Sequence, residues 1–143
     1  MNGISLKQAN RIITGALAKA GELNLKPLTV AVLDAGGHLV ALARSDGSSS
    51  LRPEIAMGKA GGALALGVSS RAIASMAADR PSFIAALGPI APQGVIPAAG
   101  GVIVTNARAL VVGAVGVTGD TSDNDEICAI AGIEKAGLKP QGL

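Results

Sequence analysis

Acidic side chains are concentrated near the C-terminus, where Asp120, Asp123, Asp125 and Glu126 lie close together in a chain with only 15% charged residues. Such a cluster could bind a metal ion, transfer protons, or cap a helix. An EF-hand calcium loop needs acidic ligands at alternating positions, then a glycine and a glutamate at the twelfth position. The segment DTSDNDEICAIA does not follow that pattern. We therefore predict no metal site here.

A helix N-terminus would account for part of the acidic cluster. The cluster follows a β-rich run and precedes DEICAIAGIEKAG, in which apolar residues recur at helical spacing. Side chains of Asp, Ser and Thr accept hydrogen bonds from the free N–H groups of a helix start, and carboxylates complement the positive end of the helix dipole. Asp120 and Ser122 suffice for such a cap. We expect one of Asp123, Asp125 and Glu126 to face Lys59 or a neighbouring subunit.

Lys59 and Glu54 lie on a second candidate helix, RPEIAMGKAGGALALG, in a region of Gly and Ala with little other charge. An inward Lys59 would hold a carboxylate or an anionic ligand, and burial would lower its pKa, as often happens at functional sites. Alternatively, Lys59 extends along the surface with its ammonium in water. In an enzyme, Lys59 or Arg44 would polarise the substrate, and Glu54 or an acid of the cluster would move a proton.

His38 is the only histidine and Cys128 the only cysteine, so one chain cannot supply the four N/S ligands of a structural zinc site. His38 follows a tight turn, where it is either a structural residue or a ligand contact. The glycines of GAVGVTGD have the spacing GxxGxxG rather than the GxGxxG of a dinucleotide-binding loop. MGKAGG has a Gly-Lys pair but lacks the earlier glycine and the following Ser or Thr of a P-loop. Neither segment therefore predicts a nucleotide-phosphate loop.

The elements that would position these residues follow from hydrophobic spacing. A helix capped by Ser5 is predicted over residues 5–22, with shorter helices over 52–67 and 69–80. LTVAVLD and HLVALAR, joined by AGG, predict one β-hairpin, and residues 100–119 predict a second. The proline-rich residues 81–99 are predicted to form one extended irregular loop. In an enzyme, residues 88–101 would close the pocket.

This order of elements indicates an α+β fold, with one mostly antiparallel sheet and helices packed on its faces. We predict one domain over residues 1–143. Apolar residues make up 49% of the chain and the mean hydropathy is +0.49, which is more apolar than a typical monomer. No apolar run approaches the ~20 residues of a membrane-spanning helix. The apolar surplus therefore predicts a subunit interface and a homo-oligomer, without membrane contact.

Composition also bears on partners and compartment. The net charge is +2 without a Lys/Arg cluster, and Phe83 is the only aromatic residue, so we expect no nucleic-acid partner. A single cysteine forms no internal disulfide, which suits a reducing compartment. The start MNGISLKQAN lacks the pattern of a signal peptide. We therefore expect a cytoplasmic protein that binds a small molecule.

Four ordered blocks of the sequence resemble the GlcG/HbpS family, which also occurs as the C-terminal domain of PduO-type proteins. The blocks are VAVLDAGGHLVALARSDG, IAMGKAGGALALG, PAAGGVIV and VVGAVGVTGDTSDNDEICAIAGI. The similarity extends from Leu6 to about Leu138. It implies a five-stranded antiparallel sheet and oligomers as large as octamers. Some family members bind haem, and others are encoded in catabolic operons.

The resemblance also implies haem as a cofactor, and matches to family motifs support several candidate contacts. Haem iron takes His, Cys, Met or Tyr as axial ligand, and this chain offers His38, Cys128, Met1, Met57 and Met76. We expect any haem to bind at a subunit interface. The candidate ligand-binding residues are Arg44, Lys59, Gly100, Gly101, Asp123, Asp125, Glu126 and His38.

Two functions from different classes stay open. The first is an oligomeric binding protein that holds haem or another small anionic molecule. The second is a cofactor-independent isomerase, tautomerase or hydrolase that acts on a carboxylate- or carbonyl-bearing catabolic intermediate. Glu54 distinguishes them, because an anion-binding site needs cations alone, whereas proton transfer needs a carboxylate beside them.

Overall fold

The computed structural model describes residues 3–142, in which five helices, one 3-10 turn and five strands follow one another along the chain. In chain order they are α1 (Leu6–Glu22), β1 (Thr29–Asp34), β2 (Leu39–Arg44), α2 (Arg52–Leu66), α3 (Ser70–Asp79), α4 (Pro81–Leu87), the 3-10 turn (Gly88–Ile90), β3 (Gly101–Thr105), β4 (Val111–Thr118), α5 (Ser122–Lys135) and β5 (Lys139–Pro140).

The five strands form one sheet in the order β2-β1-β4-β3-β5, and every neighbouring pair is antiparallel. This confirms the predicted α+β fold, and both predicted hairpins form. β1 and β4 occupy the centre, and β2 is an edge strand. Within residues 3–142, no helix combines the length and the apolar character needed to cross a membrane.

Helix boundaries agree with the sequence patterns in three of the predicted helices. Ser5 caps α1 through a capping box with Gln8, whose backbone N–H lies 3.1 Å from the Ser5 hydroxyl. α2 ends at Gly67, which adopts a positive φ of 73°. Ser69 caps α3 by accepting a hydrogen bond from the Ala72 N–H.

The prediction of one irregular loop over residues 81–99 is wrong in its first half. Residues 81–87 form α4, followed by the 3-10 turn. Pro81 does not break this helix, because proline fits the first helical turn, where its missing N–H has no intrahelical partner. Ile84 anchors α4 in the interior. Within residues 81–100, the irregular part is therefore confined to residues 91–100, which we name the strap.

The two faces of the sheet carry different side chains. Valines of β1, β3 and β4 point towards α1 and α5 and form the main core with them, whereas alanine, glycine and Leu33 face α2. The alternation follows the two-residue period of a strand. The valine side consists of Val30, Val32, Val102, Val104, Val115 and Val117.

Glycines on the α2 side allow the helix backbone to touch the sheet. A methyl group at Gly116 of β4 would overlap the Ala56 carbonyl oxygen, and one at Gly101 of β3 would overlap the Lys59 carbonyl oxygen. The helix itself is glycine-rich because the strap crosses its other side, where Gly61 contacts Gln93 and Gly62 contacts Val95. α2 is therefore held between the sheet and the strap.

We expect Gly116→Ala to lower the free energy of unfolding by roughly 3 kcal/mol or more, because backbone atoms of Ala56 and Ala60 cannot move aside as a side chain can. Gly21→Ala is the matched control. Gly21 lies inside α1 with no atom near the added methyl group, so this change should stabilise the protein by up to about 1 kcal/mol. Urea denaturation of both variants measures the contrast, and equal effects would contradict the close packing.

Candidate functional site

A buried ion pair joins α2 to α5. The Lys59 Nζ atom lies 3.1 Å from the Asp125 Oδ2 atom and donates a second hydrogen bond to the Val117 carbonyl oxygen at 2.9 Å. Only 3% of the Lys59 side chain and 2% of the Asp125 side chain are exposed. The expected contact between Lys59 and a carboxylate of the acidic cluster is thus confirmed, and the alternative of a surface lysine is wrong.

Glycine at position 100 makes room for this ion pair. Gly100 has a positive φ of 128°, and a methyl group there would lie 2.9 Å from the Lys59 Nζ atom. The neighbouring Gly101 N–H donates to the Ser70 hydroxyl at 2.7 Å. The Gly100 carbonyl oxygen accepts a hydrogen bond from the Val117 N–H at 2.9 Å. Gly100 and Gly101 therefore position Lys59 by leaving space for it and by ordering the surrounding backbone.

The surroundings of Lys59 have opposing effects on its charge. Burial lowers the pKa of the Lys59 ammonium, while the charge and the hydrogen bond of Asp125 act in the opposite direction. The second carboxylate oxygen of Asp125 accepts a hydrogen bond from the Asp120 N–H at 2.9 Å. Since the protein itself balances the charge of Lys59, a contact of Lys59 with an anionic ligand stays a prediction.

Arg71 of α3 binds the other two acids of the cluster. Its Nε atom donates to both Glu126 carboxylate oxygens, at 3.0 and 3.1 Å, and its Nη2 atom donates to Asp123. These hydrogen bonds raise the pKa of the Arg71 guanidinium. Sequence reasoning missed Arg71. The available signal was a cation in the first turn of a helix, where the helix dipole disfavours positive charge unless an acid compensates.

The predicted cap of α5 by Asp120 and Ser122 is wrong in its details. Thr121 is the N-cap, and its hydroxyl accepts a hydrogen bond from the Asn124 N–H at 3.2 Å. Ser122 is already the first helical residue. The Asp120 carboxylate accepts hydrogen bonds from the Asn124 side chain and from the Lys26 and Thr121 N–H groups, which together lower its pKa to about 2.

A second polar feature is the turn between β1 and β2. The Asp34 Oδ1 atom accepts hydrogen bonds from the Gly36 and His38 N–H groups, both at 3.0 Å. The same oxygen lies 3.5 Å from the His38 Nδ1 atom. The His38 side chain is 83% exposed, so its Nε2 atom is open to solvent. We name residues 34–38 the histidine turn.

The strap holds the histidine turn in place. The Gln93 side chain packs on Gly61 of α2 and donates a hydrogen bond to the Gly37 carbonyl oxygen at 2.9 Å. His38 lies between two open grooves of about 330 and 460 Å³. One groove includes Leu64, Ala65 and Pro92, and the other includes Ile4, Leu6 and Val40. His38 is thus an accessible polar group between two largely apolar surfaces.

Two of the candidate residues lie apart from Lys59. Arg44 is exposed at the end of the edge strand β2, six residues along from the histidine turn. Glu54 is exposed in the first turn of α2, whereas Lys59 is buried. Five residues of an α-helix correspond to a rotation of about 140°, so the two side chains leave α2 in different directions. The structure does not bring Glu54 and Lys59 together for proton transfer.

The remaining candidates for binding a metal ion or haem iron are less accessible. Cys128 is fully buried, and burial raises the pKa of its thiol to about 11. Met57 and Met76 are partly buried, and Met1 lies outside the described residues. Across residues 3–142, no group of three or more His, Cys, Asp and Glu side chains is arranged to hold a metal ion.

Comparison with known families identifies the relatives of this chain. The family model described as haem degrading protein HbpS-like matches residues 4–134. The chain belongs to the HbpS-like family. This confirms the resemblance inferred from the four sequence blocks. None of the curated proteins compared with this HbpS-like chain matches it.

Solved structures share the fold of this HbpS-like protein over nearly its whole length. PduOC, in a complex with haem, has a TM-score of 0.84 at 19% identity, covering 98% of this chain and 99% of that chain. The Klebsiella pneumoniae protein ORFY, of family DUF336, has a TM-score of 0.84 at 26% identity, with coverages of 96% and 92%. HbpS has a TM-score of 0.79 at 27% identity, with coverages of 94% and 90%.

We expect Lys59→Met to lower the free energy of unfolding by about 3–5 kcal/mol, because it leaves the Asp125 carboxylate buried without its cation. The double variant Lys59→Met/Asp125→Asn removes both charges, and the amide oxygen can still accept the Asp120 N–H. It should therefore be more stable than Lys59→Met alone. Denaturation of the two single variants and the double variant completes a thermodynamic cycle. A double variant that is no more stable than Lys59→Met would show that the buried charge is unimportant.

The lowered pKa of Asp120 predicts a pH-dependent contribution to stability. Folding lowers this pKa from 3.8 to about 2, so the carboxylate stabilises the fold fully above pH 3.8 and loses that effect as the pH falls towards 2. The stability difference between wild type and Asp120→Ala should follow the same course. Urea midpoints at pH 6, 4 and 3 measure it. A difference that is constant over this range would contradict the assignment.

Proposed function

We propose that this HbpS-like protein binds haem as a homo-oligomer and that His38 is the iron ligand. Membership of the family and the haem complex of PduOC support the choice of ligand. Within this chain, one observation carries the proposal: the imidazole of His38 is exposed and is held by a structured turn between two apolar grooves.

The residues of the histidine turn fit the requirements of an iron ligand. Haem iron takes His, Cys, Met or Tyr, and among the described residues His38 is far more accessible than Cys128, Met57 or Met76. A metal-bound histidine usually donates its second N–H to a carboxylate or carbonyl oxygen, which fixes the ring and makes it a better ligand. The Asp34 carboxylate lies beside the His38 Nδ1 atom and can take that part, leaving Nε2 for the iron.

Apolar residues on both sides of the histidine turn can contact the flat face and edges of a macrocycle. These are Leu6 and Val40 in one groove and Leu64 and Pro92 in the other. When bound, haem supplies a redox-active iron centre. The contribution of the chain is to bind this group through His38, to orient the imidazole through Asp34, and to exclude water with the apolar side chains.

A second subunit would complete the site. Both grooves are open, and the exposed side chains Leu6 and Leu39 lie next to the histidine turn. Further large apolar side chains are exposed elsewhere, which supports assembly through more than one interface and is compatible with an octamer. They include Leu51, Phe83, Ile90, Leu110, Val111 and Ile127. We also propose that residues 1–143 form one domain that functions in the cytoplasm.

The alternative enzyme, an isomerase, tautomerase or hydrolase, has less support. It needs a carboxylate beside a cation at a substrate pocket. Glu54 is exposed away from Lys59, and the charge of Lys59 is balanced by Asp125. Within residues 3–142, Glu54 and Lys59 therefore do not form the pair of acid and cation that this second function needs.

Titration with haemin, followed by the Soret band, tests the proposal. Wild type should show saturable binding with one haem per chain. His38→Ala should abolish the spectrum of the imidazole-bound iron, and Asp34→Asn, which keeps an oxygen for the turn, should weaken binding by about 10–100-fold. Light scattering of the same samples should show an oligomer.

Lys139→Ala provides the control, because Lys139 is an exposed cation on β5, at the opposite edge of the sheet from β2. This variant should bind haem like wild type. A His38→Ala variant with an unchanged Soret spectrum would refute the assignment of His38. The absence of saturable binding in wild type would refute haem as the ligand.

A further inference from the structure

A second groove, separate from the histidine turn, is lined by three cations. Lys7 and Arg11 of α1 and Lys135 of α5 border an open space of about 350 Å³, together with Asn10 and Thr14. All five residues are exposed, and none is acidic. Like charges one helical turn apart, such as those of Lys7 and Arg11, repel each other. The repulsion is small for exposed side chains, and an anion bound between the cations would relieve it.

These cations have no acidic partner in the part of the chain that the structure describes. The ion pairs formed by residues 3–142 use Lys19, Lys59, Arg71 and His38 instead. The closest acidic residue in sequence, Glu134, precedes Lys135 and does not line the groove. The charge of the groove is thus not balanced by the described residues.

The position of Lys7 supports a role in binding. It lies in the first turn of α1, which contains no acidic residue, and a positive charge at this helix end is disfavoured by the helix dipole. Two other helices also begin with a cation, but each of these cations has an acceptor. Arg52 donates to the Thr118 hydroxyl at 2.7 Å, and Arg71 binds Asp123 and Glu126. Lys7 has no comparable acceptor within residues 3–142.

The groove is also rigid, because α1 and α5 are in backbone contact beneath it. A methyl group at Gly15 would lie 2.8 Å from the Lys135 Cβ atom and 3.0 Å from the Gly132 Cα atom. The aliphatic part of Lys135 therefore rests on α1, one turn after Arg11. The Thr14 hydroxyl is fixed by its hydrogen bond to the Asn10 carbonyl oxygen at 2.9 Å. The backbone that carries these side chains and the Thr14 hydroxyl are therefore in place without a ligand.

We propose that this groove binds a small polyanion with at least two negative charges, carried by phosphate or carboxylate groups. Arg11 offers the planar fork that matches either group, and the two lysines add compact charges. Asn10 and Thr14 can complete the hydrogen bonds. The site shares no residue with the proposed haem site, so the two can be tested separately.

Calorimetric titration with pyrophosphate and, separately, with citrate tests this site at low ionic strength. At least one of the two should bind saturably, with one molecule per chain. Arg11→Gln and Lys135→Gln should each weaken binding by about tenfold or more, as expected for a lost charge-assisted hydrogen bond. Lys139→Gln is the control, because it removes the same charge from an exposed lysine outside the groove.

The relative affinities identify the chemistry of the ligand: tighter binding of pyrophosphate indicates a phosphate compound, and tighter binding of citrate indicates a polycarboxylate. Failure of both to bind would overturn the proposal. Equal weakening by Lys139→Gln and Lys135→Gln would also overturn it, because binding would then depend only on net charge. His38→Ala should bind the polyanion like wild type, which separates this test from that of haem binding. Thermal unfolding of each variant confirms that it is folded.

Discussion

The buried contact between Lys59 and Asp125 is the interaction on which the arrangement of the other elements depends. α2 and α5 lie on opposite faces of the sheet, and their two side chains meet at the end of β4, where the Val117 carbonyl oxygen also accepts a hydrogen bond from Lys59. Two charges inside a protein are costly unless each is paired and hydrogen-bonded. The segment before α5, whose Asp120 N–H binds Asp125, the absence of a side chain at Gly100 and the position of α2 must therefore all be correct together.

The same closeness of α2 to the sheet determines where the histidine turn lies. Gly116 and Gly101 let the backbone of α2 lie directly on the strands. The opposite side of α2 therefore stays close to the sheet, and the strap can pack across it. Gln93 then reaches the Gly37 carbonyl oxygen and fixes the turn that carries His38. The packing of α2 thus positions both the buried ion pair of Lys59 and Asp125 and the exposed imidazole of His38. Substitutions in α2 can affect His38 without being near it.

Sequence patterns predicted the elements with strong local signals. α1, with its Ser5 cap, and the two hairpins follow from periodicity and turn residues alone. α4 was missed because Pro81 and the prolines that follow the helix resemble those of a loop, and β5 is too short to leave a pattern. For the site, the contact of Lys59 was predicted, but its partner is Asp125 rather than Asp123 or Glu126 because Asp125 lies on the buried side of α5, and the sequence does not show which side that is. Arg71 and the groove of Lys7, Arg11 and Lys135 combine residues distant in sequence, which only the tertiary fold brings together.

The glycines of α2 have a consequence for the order in which the chain folds. Gly58, Gly61 and Gly62 give this helix a weak intrinsic tendency to form, since each costs about 1 kcal/mol relative to alanine. The helix therefore becomes stable only when the sheet and the strap enclose it. Helix, strap and the central strands should then form and open as one cooperative unit. The amide hydrogens of a glycine-rich helix would accordingly exchange with solvent as slowly as those of β1 and β4, although its sequence alone suggests the most labile part of the fold.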